Sequence, residues 1–143
     1  MPFATNPLDG VRTYFEDGGG TAPAVLFYTG FADPLQVAKA SRLTRELSGE
    51  FRVILADHRG QGESDKPRSV DAYALATRVA DAVAVLDALN IERAHFLGSS
   101  WGARLGFALG TIPPHSRQRG DRLSSRGRSR GTWASGECRV SSA

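Results

Sequence analysis

Ser100 stands at the centre of Gly98-Ser99-Ser100-Trp101-Gly102, a G-x-S-x-G pentad whose residue types and spacing suit a nucleophilic hydroxyl. The apolar run Ala94-His95-Phe96-Leu97 stops at Gly98, and a helix pattern of small residues opens after Ser100. The stretch therefore reads as strand, tight turn and helix. A serine at the apex of such a turn takes strained backbone angles, and Gly98 and Gly102 are small enough to let it close. The hydroxyl then projects into open space. To attack a carbonyl it needs a base for its proton, a third group to orient that base, and amide donors for the oxyanion that forms.

None of the histidines is placed by spacing to act as that base. His95 lies on the strand before Ser100, about 16 Å away at the rise of a strand. His115 follows a helix that carries the chain about 15 Å from the turn. His58 falls at the correct end of the sheet but two strands over, about 10 Å away. Each reads as a structural histidine. The second glycine-rich stretch, Asp57-His58-Arg59-Gly60-Gln61-Gly62-Glu63-Ser64, lacks the lysine and spacing of a P-loop and does not follow G-x-G-x-x-G. It reads as a structural turn in which Arg59 and Asp57 tie loops together. Cys138 is the single cysteine, with no partner for a disulfide or a metal cluster. Neither metal nor cofactor is expected.

The elements that must position these residues follow from hydrophobic periodicity. Ala24–Tyr28 and Arg52–Ala56 are continuous apolar runs of the kind buried on both faces of a parallel sheet. Val11–Glu16 alternates and reads as an earlier strand. Asp33-Pro34 reads as a helix start with Asp33 as the cap, for a helix that carries Leu35, Ala38, Leu43 and Leu47 to a stop at Gly49. Ala72, Leu75, Ala76, Val79, Ala80, Val83, Leu86 and Leu89 draw one apolar stripe, with Arg78, Asp81 and Asp87 set off it. A last helix runs from Trp101 to about Leu109. The alternation predicts an α/β fold, a mostly parallel sheet with helices on its faces. Gly30, Asp57 and Ser100 then fall at the carboxyl ends of strands, where such sheets bind ligands.

The 143 residues suffice for one modest domain with a core. A hydrophobic share of 41% and a charged share of 23% are ordinary for a soluble globular protein. No apolar run approaches the roughly 18 residues of a membrane span, and Met1–Gly10 lacks the features of a signal peptide. The cytoplasm is the expected compartment. The formal charge of +3 is unevenly spread, since residues 1–110 carry 11 Lys+Arg against 13 Asp+Glu while residues 111–143 carry 7 Arg against Asp121 and Glu137. That last segment is mostly Arg, Ser and Gly without a helix or strand period, so residues 111–143 are expected to form a disordered tail. Binding of nucleic acid by counterion release is one reading of it. A reading-frame change or gene remnant is the preferred one.

Residues 1–110 resemble the α/β-hydrolase fold, in its branch of small esterases, peptidases and cofactor-free haloperoxidases. Val25–Phe31 is similar to the family's strand and oxyanion loop, Asp57–Ser64 to its D-x-R-G-x-G-x-S turn, and Gly98–Gly102 to its nucleophile elbow. The resemblance implies Ser100 as nucleophile, the amides of Phe31 and Trp101 as oxyanion hole, and a small-molecule ester or amide as substrate. Thr29 stands where the family usually has histidine. The acid and histidine of the triad would follow the serine in chain order, and nothing after Gly110 reads as the strands to carry them. The expectation is a domain truncated after the nucleophile helix, with weak or no turnover and an exposed strand edge at Ala94–Leu97 open to self-association. A non-catalytic interaction module using that edge, and nucleic-acid binding through the tail, are the competing readings.

Overall fold

The sheet is built outward from β3 (Ala24–Tyr28), whose residues are all buried. A computed structural model describes residues 2–111 and the backbone of a short strand at 137–139. Side chains alternate across a strand, so β3 supplies two cores. Leu26 and Tyr28, with Ile54 and Ala56 of β4 (Arg52–Ala56), pack beneath α3 (Leu75–Ala88) and α4 (Trp101–Thr111). Phe27, with Val53 and Leu55, packs on the other face against Leu35 and Ala38 of α1 (Leu35–Ala40).

The remaining strands are β1 (Phe3–Thr5), β2 (Arg12–Asp17), β5 (Arg93–Gly98) and β6 (Glu137–Arg139), and the sheet order is β1-β2-β4-β3-β5-β6. The expected parallel sheet is present at its centre, where β3 pairs in parallel with both β4 and β5. The sheet as a whole is mixed, because β1 with β2, β2 with β4, and β5 with β6 pair antiparallel. Tyr28 stands opposite both Ala56 and Gly98, so the three parallel strands end level. Thr29, Asp57 and Ser99 therefore leave the sheet side by side.

Four expectations change. The helix after β3 breaks at Ser41, which takes extended backbone angles and accepts from the Thr44 amide at 3.1 Å, capping a separate α2 (Arg42–Leu47). Asp33 does not cap α1; the Leu35 amide donates instead to Asp57 Oδ1, 2.7 Å away. Arg78 and Asp81 are buried on α3 while Leu75 and Ala76 are exposed, because the turn after β4 lies under that part of the helix and brings polar partners with it. Within the segment expected to be a disordered tail, Glu137–Arg139 forms β6 and covers the edge of β5 over Arg93–His95. Residues 112–136 and 140–143, on which the disorder and nucleic-acid readings otherwise rest, lie outside the described residues, as does His115.

Among the described residues no helix is long and apolar enough to cross a membrane. No group of three or more His, Cys, Asp or Glu among them is arranged to hold a metal ion.

Candidate active site

β5 ends at Gly98 and α4 begins at Trp101, leaving Ser99 and Ser100 to reverse the chain. Ser100 sits at φ 49°, left-handed backbone that costs an L-residue about 1 to 2 kcal/mol. The Ser99 amide donates to the Tyr28 carbonyl at 3.2 Å, tying the turn to β3, and the Gly102 amide donates to Ser99 O at 2.8 Å. A Cβ on Gly98 would lie 2.5 Å from Ala103 N, and one on Gly102 would run into the carbonyls of Tyr28 and Thr29. Both positions have to be glycine for this turn to close against the sheet. Ser100 is exposed, and no hydrogen bond among the described residues occupies its hydroxyl.

The Thr29-Gly30-Phe31 loop stands directly against this turn. Ser100 Cβ would be 3.5 Å from a Cβ placed on Gly30, and the Asp33 carboxylate 3.3 Å from it. The Thr29 hydroxyl donates to the Asp33 carbonyl, so the threonine fastens its own loop. Trp101 is the first residue of α4, where backbone amides lack intrahelical acceptors and the helix dipole is positive. Neither the Trp101 amide nor that of Phe31 donates to an acceptor among the described residues. The Phe31 ring, 76% exposed, meets the Trp101 ring edge-on at 6.4 Å between centroids. Ser100 thus has an exposed hydroxyl, and the residue after it and the residue after Gly30 carry unengaged amides.

The turn after β4 is the reverse of this. Ser64 Oγ donates to Asp57 O at 3.0 Å and accepts from the Tyr14 amide at 2.8 Å. Asp57 accepts from the amides of Leu35 and Glu63. The buried Arg59 guanidinium pairs with Asp81 at 2.6 Å and with Asp9 at 2.7 Å, and Asn6 completes the set by donating to Asp81 at 2.7 Å. Burial alone would lower the pKa of Arg59, but its hydrogen bonds to Asp81 and Asp9 outweigh that and raise it.

His58 is engaged on both ring nitrogens. An arginine only donates, so the 3.1 Å contact from Arg78 Nη2 makes His58 Nδ1 an acceptor, and Nε2–H donates to the Thr29 carbonyl at 3.0 Å. Burial, and then the positive charge of Arg78, lower the pKa of His58 to about 4. His95 packs edge-on against the Phe51 ring, 5.7 Å away, and its backbone pairs with β6. Both ring nitrogens of His58 are thus taken, and His95 lies mid-strand on β5, five residues before Ser100. Sequence reasoning missed Arg78, whose guanidinium lies 4.4 Å over the Trp101 ring. Its position three residues before Asp81 on a helix carried no signal, because the partner that draws it inward, His58, comes from the turn after β4.

The chain matches the family model for the alpha/beta hydrolase fold over residues 23–116. It is 33% identical to epoxide hydrolase A of Mycobacterium tuberculosis over 96 residues, covering 66% of this chain and 30% of that protein. It is 31% identical to a proline iminopeptidase of Heyndrickxia coagulans over 100 residues, covering 70% of this chain and 34% of that one. Among solved structures, the enol-lactonase of Burkholderia xenovorans superposes with a TM-score of 0.67 at 30% identity, over 76% of this chain and 40% of that chain. The chain spans roughly a third of the length of these curated relatives. They share a fold and differ in the bond they break, and the family match over most of the described residues shows that this chain belongs to the alpha/beta hydrolase family.

Proposed function

We propose that the site is that of a serine hydrolase of small esters or amides, with Ser100 as nucleophile and the amides of Phe31 and Trp101 as oxyanion donors. The observation that carries the reading is the unengaged Ser100 hydroxyl at φ 49°, held against the Gly30 loop and above the start of α4. In the reaction, Ser100 Oγ loses its proton to a base and bonds to the carbonyl carbon, while the carbonyl oxygen takes the negative charge between the two amides. Collapse expels the alcohol or amine and leaves an acyl-serine. Water then attacks the same carbon and frees the acid and the serine.

The relatives named for epoxides raise a second reading, ring opening at this site, and the nucleophile argues against it. A serine that opened an epoxide would be left as a β-hydroxy ether, which has no carbonyl for water to attack. An acyl-serine has one. The enol-lactonase and iminopeptidase likenesses fit the acyl route.

Turnover by this chain is weak or absent in the same proposal, because both ring nitrogens of His58 are engaged and His95 lies back along β5, five residues before Ser100. Removal of triad partners leaves only the contribution of the oxyanion hole and binding. Labelling with a fluorophosphonate tests the reading. The expected result is slow, stoichiometric modification that Ser100→Ala abolishes, with ester turnover near background. Absence of Ser100-dependent labelling in a sample folded by near-ultraviolet circular dichroism would overturn it.

A further inference from the structure

Arg78 is buried at 4% exposure, yet no carboxylate pairs with it among the described residues. Its charge is desolvated there, and burial pulls its pKa down against the opposing influence of Asp81 and Tyr28. An apolar side chain would fill the same space without that penalty. What the guanidinium does instead is touch both halves of the site. One nitrogen donates to His58 Nδ1 at 3.1 Å, and Cζ lies 4.4 Å over the centroid of the Trp101 ring. His58, fixed in one tautomer by that donation, donates its own Nε2–H to the Thr29 carbonyl at 3.0 Å. Its ring is held from below by Tyr28, 4.7 Å away.

Trp101 carries one of the two unengaged amides, and Thr29 is two residues before the other. We propose that Arg78 is a positioning residue that holds the Thr29–Phe31 loop and the start of α4 in register, through His58 on one side and Trp101 on the other. The role rests on the reading of Phe31 and Trp101 as the oxyanion donors of Ser100. A hydrogen bond and a cation–π contact from one rigid, planar group fix distance and orientation together, which a flexible apolar side chain does not. The direct ring contact between Phe31 and Trp101 closes the same circuit on the solvent side.

The test is nitrogen-15 NMR of the full chain, with fluorophosphonate labelling alongside. Arg78→Met is expected to shift the Phe31 and Trp101 amide resonances together, to release His58 from its single tautomer, and to slow Ser100 labelling by about tenfold or more. Arg78→Lys keeps a cation and a donor and is expected to recover much of each effect. His58→Leu breaks the same path at its other link, and it decides by the Phe31 resonance if Arg78→Met does not fold. The proposal is overturned if the two amide resonances stay in place in Arg78→Met and His58→Leu, or if Arg78→Lys recovers stability without recovering the resonances. A wild-type chain that does not label at all would sink the nucleophile reading alone, since the resonances report the coupling without any reaction at Ser100.

Discussion

Two turns leave the carboxyl ends of β4 and β5, the parallel strands on either side of β3, each punctuated by glycine, and they treat their polar groups in opposite ways. In the Asp57–Ser64 turn, Asp57, His58, Arg59 and Ser64 are all buried, and each of these four is hydrogen-bonded. The Ser99–Ser100 turn leaves a hydroxyl exposed and two nearby amides unengaged. The first arrangement stabilises, because buried polar groups without partners cost more than their bonds return. The second stores backbone strain and, in the proposed reading, leaves its donors for a substrate. Chemistry is to be sought where polar groups are held rigidly and left unspent, and Arg78 joins the two turns.

The largest test of this contrast is on the closed side. Arg59→Met leaves Asp81 buried with Asn6 as its remaining side-chain hydrogen-bond donor among the described residues and is expected to destabilise the fold by about 4 kcal/mol in urea unfolding. A loss under about 1 kcal/mol would mean that the pair is not the anchor of this turn.

Gly102→Ala drives a methyl into the Tyr28 and Thr29 carbonyls, which belong to the central strand and the loop after it. Overpacking against backbone is expected to cost about 3 kcal/mol, measured in the same way, and to abolish labelling of Ser100.

Acid should act next, through His58. Its folded pKa of about 4 lies below the ordinary 6.5, so the unfolded chain binds the extra proton first. The stability contributed by neutral His58 is complete above pH 6.5 and is lost as pH falls from 6.5 towards 4, by up to roughly 3 kcal/mol. Arg78 from α3 is the charge that faces the ring, and Tyr28 of β3 lies beneath it. Comparison with His58→Gln isolates the effect, and a parent chain no more acid-sensitive than this variant across that window would contradict the buried, neutral assignment. Asp17, held below the usual carboxylate range by its bond to Arg52, and Glu16, held there by Lys39, add acid sensitivity at lower pH in both chains.

The smallest effect is on the open side and has the opposite sign. Ser100→Gly relieves the left-handed backbone and is expected to raise stability by about 1 kcal/mol while removing labelling. A destabilised Ser100→Gly would show that the hydroxyl serves the fold after all, and the contrast between the two turns would fail.

Much of this was legible in the residues themselves. Continuous apolar runs announced β3 and β4, because a strand buried on both faces has no polar position to spare. The glycine spacing announced the turn at Ser100, because its backbone tolerates no Cβ at Gly98 or Gly102. These are local requirements, and a local pattern can declare them. The cap of α1, the burial of Arg78 and Asp81, the tautomer of His58 and the strand laid along β5 were decided only by the tertiary structure. Asp57 reaches Leu35 across 22 positions, Arg59 reaches Asp81 across 22, and His58 reaches Thr29 across 29. A polar residue on a helix reads as a solvent-facing residue until the fold brings its partner, since desolvation without that partner would forbid its burial. Periodicity determined which strands and helices this chain forms, and the level ends of β3, β4 and β5 decided which of their polar groups meet.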